Sequence, residues 1–313
     1  GQPDTPQLDR CFSKTIELLK KYAVNTVDEL AQKLVTENPP NAVDLIREAK
    51  IAIMTLFHRI EWQGIAAAYP NYKSFFETLF AGSSLPLDAT MAASRCRVLT
   101  FNYDRLFERA FFLWANGLEP WNHKVETPYS FLNSGLDDPL REIRIRPDRF
   151  SFLKLHGGVG QAYRDNDLEM NRPPITSYDW QRFNQPSLPP LDDENYFPPP
   201  ENSPTIIFPC EKARSAGSFK KYWERMKENA GAFCRSAHEI HIMGYSLPSL
   251  DLPHLKPWLQ AAKACERIVL RNRPSEKSRL EELMEIVKWE TDAPWSVEFK
   301  AEDFFCVSRN AVS

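Results

Sequence analysis

The chain has 313 residues, of which 42% are hydrophobic and 12% aromatic, and its formal net charge is −3. These values are typical of a folded globular protein with one large domain or two ordinary ones. The near-balanced charge gives no electrostatic reason to expect nucleic acid or an anionic membrane as the main partner. No apolar stretch reaches the roughly 18 residues that a transmembrane helix needs, and the N-terminus does not read as a signal peptide.

The cysteines are scattered and form no CxxC pair. They are Cys11, Cys96, Cys210, Cys234, Cys265 and Cys306. No Cys/His cluster has zinc spacing, so the sequence predicts no structural metal. Isolated cysteines of this kind are typical of buried thiols in a reducing compartment, which predicts a cytoplasmic protein.

The first part of the chain, residues 1–95, is predicted to be all-helical. Apolar residues recur at helical spacing over residues 7–22, and a second helix follows to about residue 35. A long helix is predicted over residues 42–63 and another over 71–82. We therefore expect an N-terminal helix and a helical subdomain in this region.

From residue 96 onwards, strand and helix patterns alternate. Strands are predicted at residues 97–101, 151–156, 205–209, 239–244, 267–272 and 295–300, the last of them at a sheet edge. Helices are predicted at 103–114, 218–235, 251–263 and 276–287, and residues 142–146 and the proline-rich run 173–204 lie between. This alternation predicts an α/β fold with a doubly wound parallel sheet in residues 96–313.

The N-terminus lacks one expected feature of such a fold. A nucleotide-binding doubly wound sheet normally begins with a strand and a glycine-rich phosphate turn. Neither GxGxxG nor GxG occurs near residue 1, and the first residue is not methionine. We therefore expect the first strand and its glycine loop to be missing from this sequence.

Three predicted strands end in polar residues and glycine. The segments are RVLTFNYD (97–104), FLKLHGG (152–158) and EIHIMGYSLPSLD (239–251). In an open α/β sheet, ligands bind outside the carboxyl ends of the strands. The three segments together therefore predict a ligand site.

In this order, RVLTFNYD, FLKLHGG and IMGYSLPSLD resemble the sirtuin-like domains of bacterial anti-phage defence proteins. The resemblance implies a Rossmann-like domain with a helical subdomain inserted after the first βα unit, and NAD as the ligand. GQPDTPQL resembles the segment that follows the glycine turn of that family. True sirtuin deacetylases carry a four-cysteine zinc module that this chain lacks, which favours NAD breakdown over protein deacylation.

With this resemblance, Asn102 and His156 become the candidate catalytic residues. The Asn102 amide would orient water and ribose hydroxyls, although it could instead be the N-cap of a helix starting at Tyr103. His156 would act as general base, although a histidine closing a strand can also be a hydrogen-bonded core group. Gly157 would let the ligand approach the backbone, whereas Tyr103 and Tyr245 are expected to serve in packing.

Five further residues are predicted to line the ligand site or to cap helices. Thr100 and Asp104 would line the ribose or nicotinamide pocket, or would act as local caps. Gly244 and Ser246 would contact the adenosine ribose or phosphate. Asp251 would be a helix N-cap or a ribose ligand.

The sequence therefore predicts an NAD⁺ glycohydrolase that releases nicotinamide and ADP-ribose, with NAD as substrate and no metal. The resemblance implies an NAD-depleting effector of an abortive-infection system. It also implies control by homo-oligomerisation or by a regulatory partner, such as a HerA-type ATPase or another phage-sensing subunit. The alternatives are a non-catalytic NAD- or ADP-ribose-binding assembly module and a protein deacylase. The basic stretch 212–221 is expected to be a solvated face rather than a nucleic-acid contact.

Overall fold

The structure, a computed structural model, describes residues 6–80, 96–117, 150–156, 161–164, 176–177, 202–204, 206, 208–211, 218–245, 247, 251–291 and 294–301. Within these ranges the fold is mixed α/β. The chain divides into two compact units. The first comprises Gly1–Lys73, Leu99–Ile145 and Lys154–Trp223, and the second comprises Ser74–Val98, Arg146–Leu153 and Glu224–Ser313. The strand predicted at 142–146 lies outside the described residues, as does most of the proline-rich run.

The helices, in chain order, are α1 (Pro6–Lys21), α2 (Val27–Glu37), α3 (Ala42–Phe80), α4 (Leu106–Gly117), α5 (Ser218–Ser236), α6 (Leu252–Ala261) and α7 (Lys277–Thr291). The strands are β1 (Arg97–Thr100), β2 (Ser151–Lys154), β3 (Gln161–Arg164), β4 (Thr176–Ser177), β5 (Asn202–Pro204), β6 (Glu239–Met243), β7 (Arg267–Asn272) and β8 (Ser296–Ala301). Short 3₁₀ turns occupy Pro209–Glu211 and Pro274–Glu276. Among the described residues, no helix has the length and apolar character needed to cross a bilayer.

The N-terminal helices begin and end where local chemistry dictates. Helix α2 starts with a capping box, in which Thr26 accepts from the Glu29 backbone N–H and Glu29 accepts from that of Thr26. It ends at Asn38 in the left-handed conformation, which asparagine tolerates. The helices predicted at 42–63 and 71–82 form one helix, α3, which continues through Pro70. Burial of Phe75 and Phe76 beyond the proline stabilises that continuation.

The core of the first unit joins these helices to a segment far along the chain. Buried residues of α1, α2 and α3 form a cluster that also contains Ile206 and Phe208. The strand predicted at 205–209 is therefore wrong as placed. Strand β5 ends at Pro204, and Pro209 begins a 3₁₀ turn. Pro204 and Pro209 lack the N–H that a sheet ladder requires, and Ile206 and Phe208 between them pack on the helices.

The described strands form three sheets. Strand β1 pairs with β2 in a two-stranded parallel sheet. Strand β3 pairs antiparallel with both β4 and β5. Strands β6, β7 and β8 form a parallel sheet in that order, with α6 and α7 in the connections. The predicted parallel pairing and the edge position of β8 are confirmed for this sheet.

One face of the β6–β7–β8 sheet carries a row of charged side chains. Because side chains alternate between faces along a strand, Glu239 and His241 share a face of β6 and meet β7 residues of the same face. The guanidinium of Arg267 binds Glu239 at 2.6 Å and Glu298 of β8 at 3.1 Å. His241 contacts Glu239 through Nε2 and accepts a hydrogen bond from Arg271 Nε at 3.1 Å through Nδ1.

The pKa values of Glu239 and His241 both lie below their usual values, for different reasons. Burial raises the pKa of Glu239, but hydrogen bonds from Arg267 and His241 outweigh it and leave the pKa below its usual value. Burial lowers the pKa of His241, and the Glu239 carboxylate offsets only part of that decrease. Because the unfolded chain binds a proton at position 241 more readily than the folded chain, protonation there favours unfolding.

The buried thiols behave as small apolar groups. Burial raises the pKa of Cys96 and that of Cys234 to about 12, so neither is a thiolate at neutral pH. The described cysteines are all unbridged.

We predict that His241 makes stability fall as the pH drops below about 6.5, the ordinary pKa of histidine. The contribution is intact at higher pH and is lost progressively as the pH falls towards the lowered folded-state pKa. Urea unfolding at pH 7.5 and 5.5 should show a smaller loss of unfolding free energy for His241→Gln than for the wild type. His238→Gln, at an exposed position, is the matched control. Identical pH dependence in all three proteins would contradict the assignment.

Candidate active site

The carboxyl ends of β1 and β2 lie side by side in the first unit. The Leu155 N–H, just after β2, donates to the carbonyl of Thr100, the last residue of β1, at 2.8 Å. Because the two strands are parallel, the segments that follow both of them leave the same edge of the sheet. This contact brings two of the three predicted motifs together.

Residues 100–105 form a short structured connection between β1 and α4. Thr100 Oγ1 accepts a hydrogen bond from the Asn102 backbone N–H at 3.1 Å. Asp104 Oδ1 accepts one from the Leu106 N–H at 2.9 Å, where α4 begins. Thr100 and Asp104 therefore take the local capping roles that the sequence allowed for them.

The alternative interpretation of Asn102 as an N-cap is wrong. Helix α4 begins at Leu106, three positions beyond the predicted start at Tyr103. The Asp104 carboxylate bonds the first N–H of the helix and thereby displaces the start along the chain. Asn102 is exposed to solvent, ahead of the helix.

His156 is held by the two residues that flank Asn102. Its side chain is almost fully buried, at 4% exposure. The Phe101 ring meets it edge-on with the centroids 4.9 Å apart, and the Tyr103 ring lies 5.7 Å away at 33°. Since Asn102 stands between Phe101 and Tyr103 in the chain, the structure places the two predicted catalytic residues in one small region.

Tyr103 does more than the packing predicted for it. Its hydroxyl donates to Asp28 Oδ1 of α2 at 3.2 Å, and its ring meets the edge of Phe57 of α3 at 6.1 Å. The same ring contacts His156. Tyr103 therefore connects the helices of the first unit directly to the candidate base.

A buried ion pair contacts the connection between β1 and α4. Lys154 Nζ is 3.0 Å from Glu108 Oε1, and the two side chains are 4% and 0% exposed. Burial raises the pKa of Glu108, and the Lys154 ammonium offsets part of that rise. Lys154 Nζ also donates to the backbone carbonyl of Asp104. Burial of Tyr72 and the charges of Asp104 and Glu108 raise the pKa of the Tyr72 hydroxyl.

The sequence reasoning missed Lys154 and Glu108. A lysine within the apolar strand FLKLH was the available signal, because an unpaired charge is rarely fully buried. The partner could not be named, since Glu108 looks like an ordinary residue of an amphipathic helix until the packing of α4 is known.

The third motif lies in the second unit. Gly244 has a φ of 62°, in the left-handed region that favours glycine, and its N–H donates to the Arg271 carbonyl at 2.8 Å. The Tyr245 hydroxyl donates to Asp251 Oδ2 at 2.5 Å, and Asn272 Nδ2 donates to the Tyr245 carbonyl at 3.2 Å. Gly244 and Asp251 are thus brought together through Tyr245.

Two features of this motif were not expected from the sequence. Asp251 occupies the N-cap position of α6, one of its two predicted roles, but it caps through its backbone carbonyl, which accepts from the His254 and Leu255 N–H groups, and its side chain makes no cap hydrogen bond. Its carboxylate is held by the Tyr245 hydroxyl instead. Leu247, a buried non-glycine residue, has a φ of 49°, a conformation that costs about 1 kcal/mol and is often found at functional sites.

Gly157 and Ser246 lie outside the described residues. Within the described ranges, no group of three or more His, Cys, Asp or Glu side chains could hold a metal ion. Comparisons of the chain with protein-family models, with curated proteins and with solved structures find no match.

We predict that Tyr103→Phe lowers the free energy of unfolding by about 1–2 kcal/mol, because it removes the hydrogen bond to the Asp28 carboxylate and retains the ring. Urea denaturation measures the difference. Tyr22→Phe, at a half-buried tyrosine of the same helical core, is the matched control and should change stability less. Equal effects of the two substitutions would show that the Tyr103–Asp28 bond does not stabilise the fold.

Proposed function

We propose that this protein is an NAD⁺ glycohydrolase. The observation that carries the proposal is the placement of exposed Asn102 between the two aromatic residues that hold His156, at the carboxyl ends of adjacent strands. The resemblance of the three motifs to sirtuin-like defence domains supplies the substrate. The Rossmann-like architecture, with a doubly wound sheet and an inserted helical subdomain, is part of the same proposal.

The reaction breaks the bond between C1′ of the ribose and the nicotinamide nitrogen. Glycosidic cleavage of this kind passes through an oxocarbenium-like state, so water must attack C1′ as nicotinamide leaves. The Asn102 amide can both donate and accept, and it orients the ribose hydroxyls and the water. His156 takes the proton from that water, and the products are nicotinamide, ADP-ribose and a proton.

The connection between β1 and α4 suits this task because two side chains bond its backbone. Thr100 and Asp104 each accept a hydrogen bond from a backbone N–H group, and these bonds hold the loop that presents Asn102. In the proposal, both residues and Gly157 border the ribose and nicotinamide. Precise positioning is valuable, since a misplacement of about 1 Å can cost about 10²-fold in rate.

The adenosine half of the substrate belongs to the third motif in this proposal. Gly244 has no side chain and would allow close approach of ribose or phosphate, while Ser246 and Asp251 would bind hydroxyl groups. The left-handed backbone of Gly244 and the buried Asp251 carboxylate support this assignment.

The proposed biological role is NAD⁺ depletion in the cytoplasm as part of an anti-phage abortive-infection system. An enzyme that destroys a central cofactor must be inactive until infection. Homo-oligomerisation or a regulatory partner, such as a HerA-type ATPase or another sensing subunit, would supply that control. The charge balance of the chain supports a protein partner over nucleic acid.

The proposal predicts nicotinamide release from NAD⁺ that depends on both candidate residues. Asn102→Ala and His156→Ala should each lower kcat by about 10²-fold or more. The control variants Asn25→Ala and His238→Ala change the same residue types at exposed positions just before α2 and just before β6. Both should retain activity. Nicotinamide and ADP-ribose are quantified by chromatography. Turnover that survives in both site variants would exclude these catalytic roles.

One observation favours a second function, a non-catalytic NAD- or ADP-ribose-binding module. His156 is 4% exposed and enclosed by two rings, which restricts the access of water to the proposed base. Calorimetry with NAD⁺ and with ADP-ribose, beside the turnover assay, separates the two functions. Tight binding of either compound without nicotinamide release would favour the binding module.

A further inference from the structure

The Lys154 side chain joins both ends of the turn that follows Asn102. Its ammonium group donates to the carbonyl of Asp104, before α4, and forms the ion pair with Glu108, in the first turn of α4. All four residues of β2 are buried, so this lysine is held within the sheet rather than at its surface. The ammonium has three N–H donors and can serve both partners simultaneously.

Stability alone does not account for a charged pair in this position. Taking two charges out of water costs several kcal/mol for each, and the replacement of buried ion pairs by apolar residues is often neutral or stabilising. Glu108 illustrates the cost, because its Oε2 has no hydrogen-bond partner within the described part of the chain. An apolar pair would serve the core at least as well.

The contact with Asp104 gives the buried Lys154 a function other than stability. The Asp104 carbonyl belongs to the connection that carries Asn102, and the carboxylate of the same residue bonds the start of α4. Lys154 is also two residues before His156. The segment 154–156 thus carries the general base directly and holds the connection bearing Asn102 through the ammonium group.

We propose that Lys154 is a positioning residue, which fixes Asn102 relative to His156 by holding the Asp104 carbonyl, while Glu108 gives the same ammonium group a second acceptor. The inference rests on the proposed NAD⁺ hydrolysis for its kinetic effect. Its structural part, the immobilisation of residues 100–106 by Lys154, can be measured without substrate.

Two variants separate this role from that of the ion pair. Glu108→Gln removes the charge pair but leaves Lys154 with an amide acceptor and with the Asp104 carbonyl. The double variant Lys154→Met/Glu108→Leu removes both charges and the bond to Asp104, and it avoids the unpaired buried carboxylate that Lys154→Met alone would create. Thermal unfolding establishes that both proteins fold.

The double variant is expected to lose about 10²-fold in kcat with little change in KM, because the substrate contacts remain but the catalytic amide is misplaced. Amide hydrogen exchange over residues 100–106 should become faster in this variant. Glu108→Gln should retain a kcat close to that of the wild type and slow exchange in the same segment.

A double variant that folds and retains kcat would overturn the proposal. Equal loss in both variants would also overturn it, because the effect would then belong to the ion pair. If the wild type releases no nicotinamide, the proposed function fails instead. The exchange measurement then decides the structural part alone: faster exchange only in the double variant supports it, and equal exchange in the two variants contradicts it.

Discussion

The last residue of β2 and the two residues after it hold the connection between β1 and α4, and the candidate site depends on them. Lys154 binds the Asp104 carbonyl, the Leu155 N–H binds the Thr100 carbonyl, and His156 packs against the rings on either side of Asn102. The three contacts use an ammonium group, a backbone amide and an imidazole. A loop fixed in this way loses little entropy when it binds a ligand, which is the property that a catalytic amide requires.

The helical part of the first unit contributes to this site through Tyr103. The tyrosine ring lies between the candidate base and Phe57 of α3, and its hydroxyl reaches Asp28 near the start of α2. The same helices bury Ile206 and Phe208, which are distant in sequence. Displacement of α2 or α3 would therefore be transmitted to the His156 ring through direct contacts. Under the proposed function, this would be a physical route by which an oligomer or partner bound to the helices acts on the site.

Much of the fold could be predicted because it follows from local patterns. The bounds of β7 match the predicted 267–272, since this strand is a run of apolar and β-branched residues between two clear breaks. Helices α1, α2 and α5 also lie within two residues of their predicted bounds. The strand predicted at 205–209 failed because an apolar run between prolines has no period of its own. The packing of Ile206 and Phe208 on the helices depends on tertiary contacts, which the local sequence does not encode.

The candidate site was predicted only in outline. The sequence motifs made Asn102 and His156 candidates, but they could not show that Asp104 rather than Asn102 serves the start of α4. Nor could it pair Lys154 with Glu108, because buried charges find partners through the fold rather than through spacing. The Tyr245–Asp251 bond was missed for the same reason.

The central claim is that NAD⁺ binds where the ends of β1 and β2 meet. Hydrogen exchange with and without an NAD⁺ analogue that has a carbocyclic ribose, and so cannot be cleaved through an oxocarbenium-like state, tests it most directly. The account predicts slower exchange over residues 100–106 and 154–156, with α1 unaffected. Protection confined to other segments, or none at saturating analogue, would contradict it.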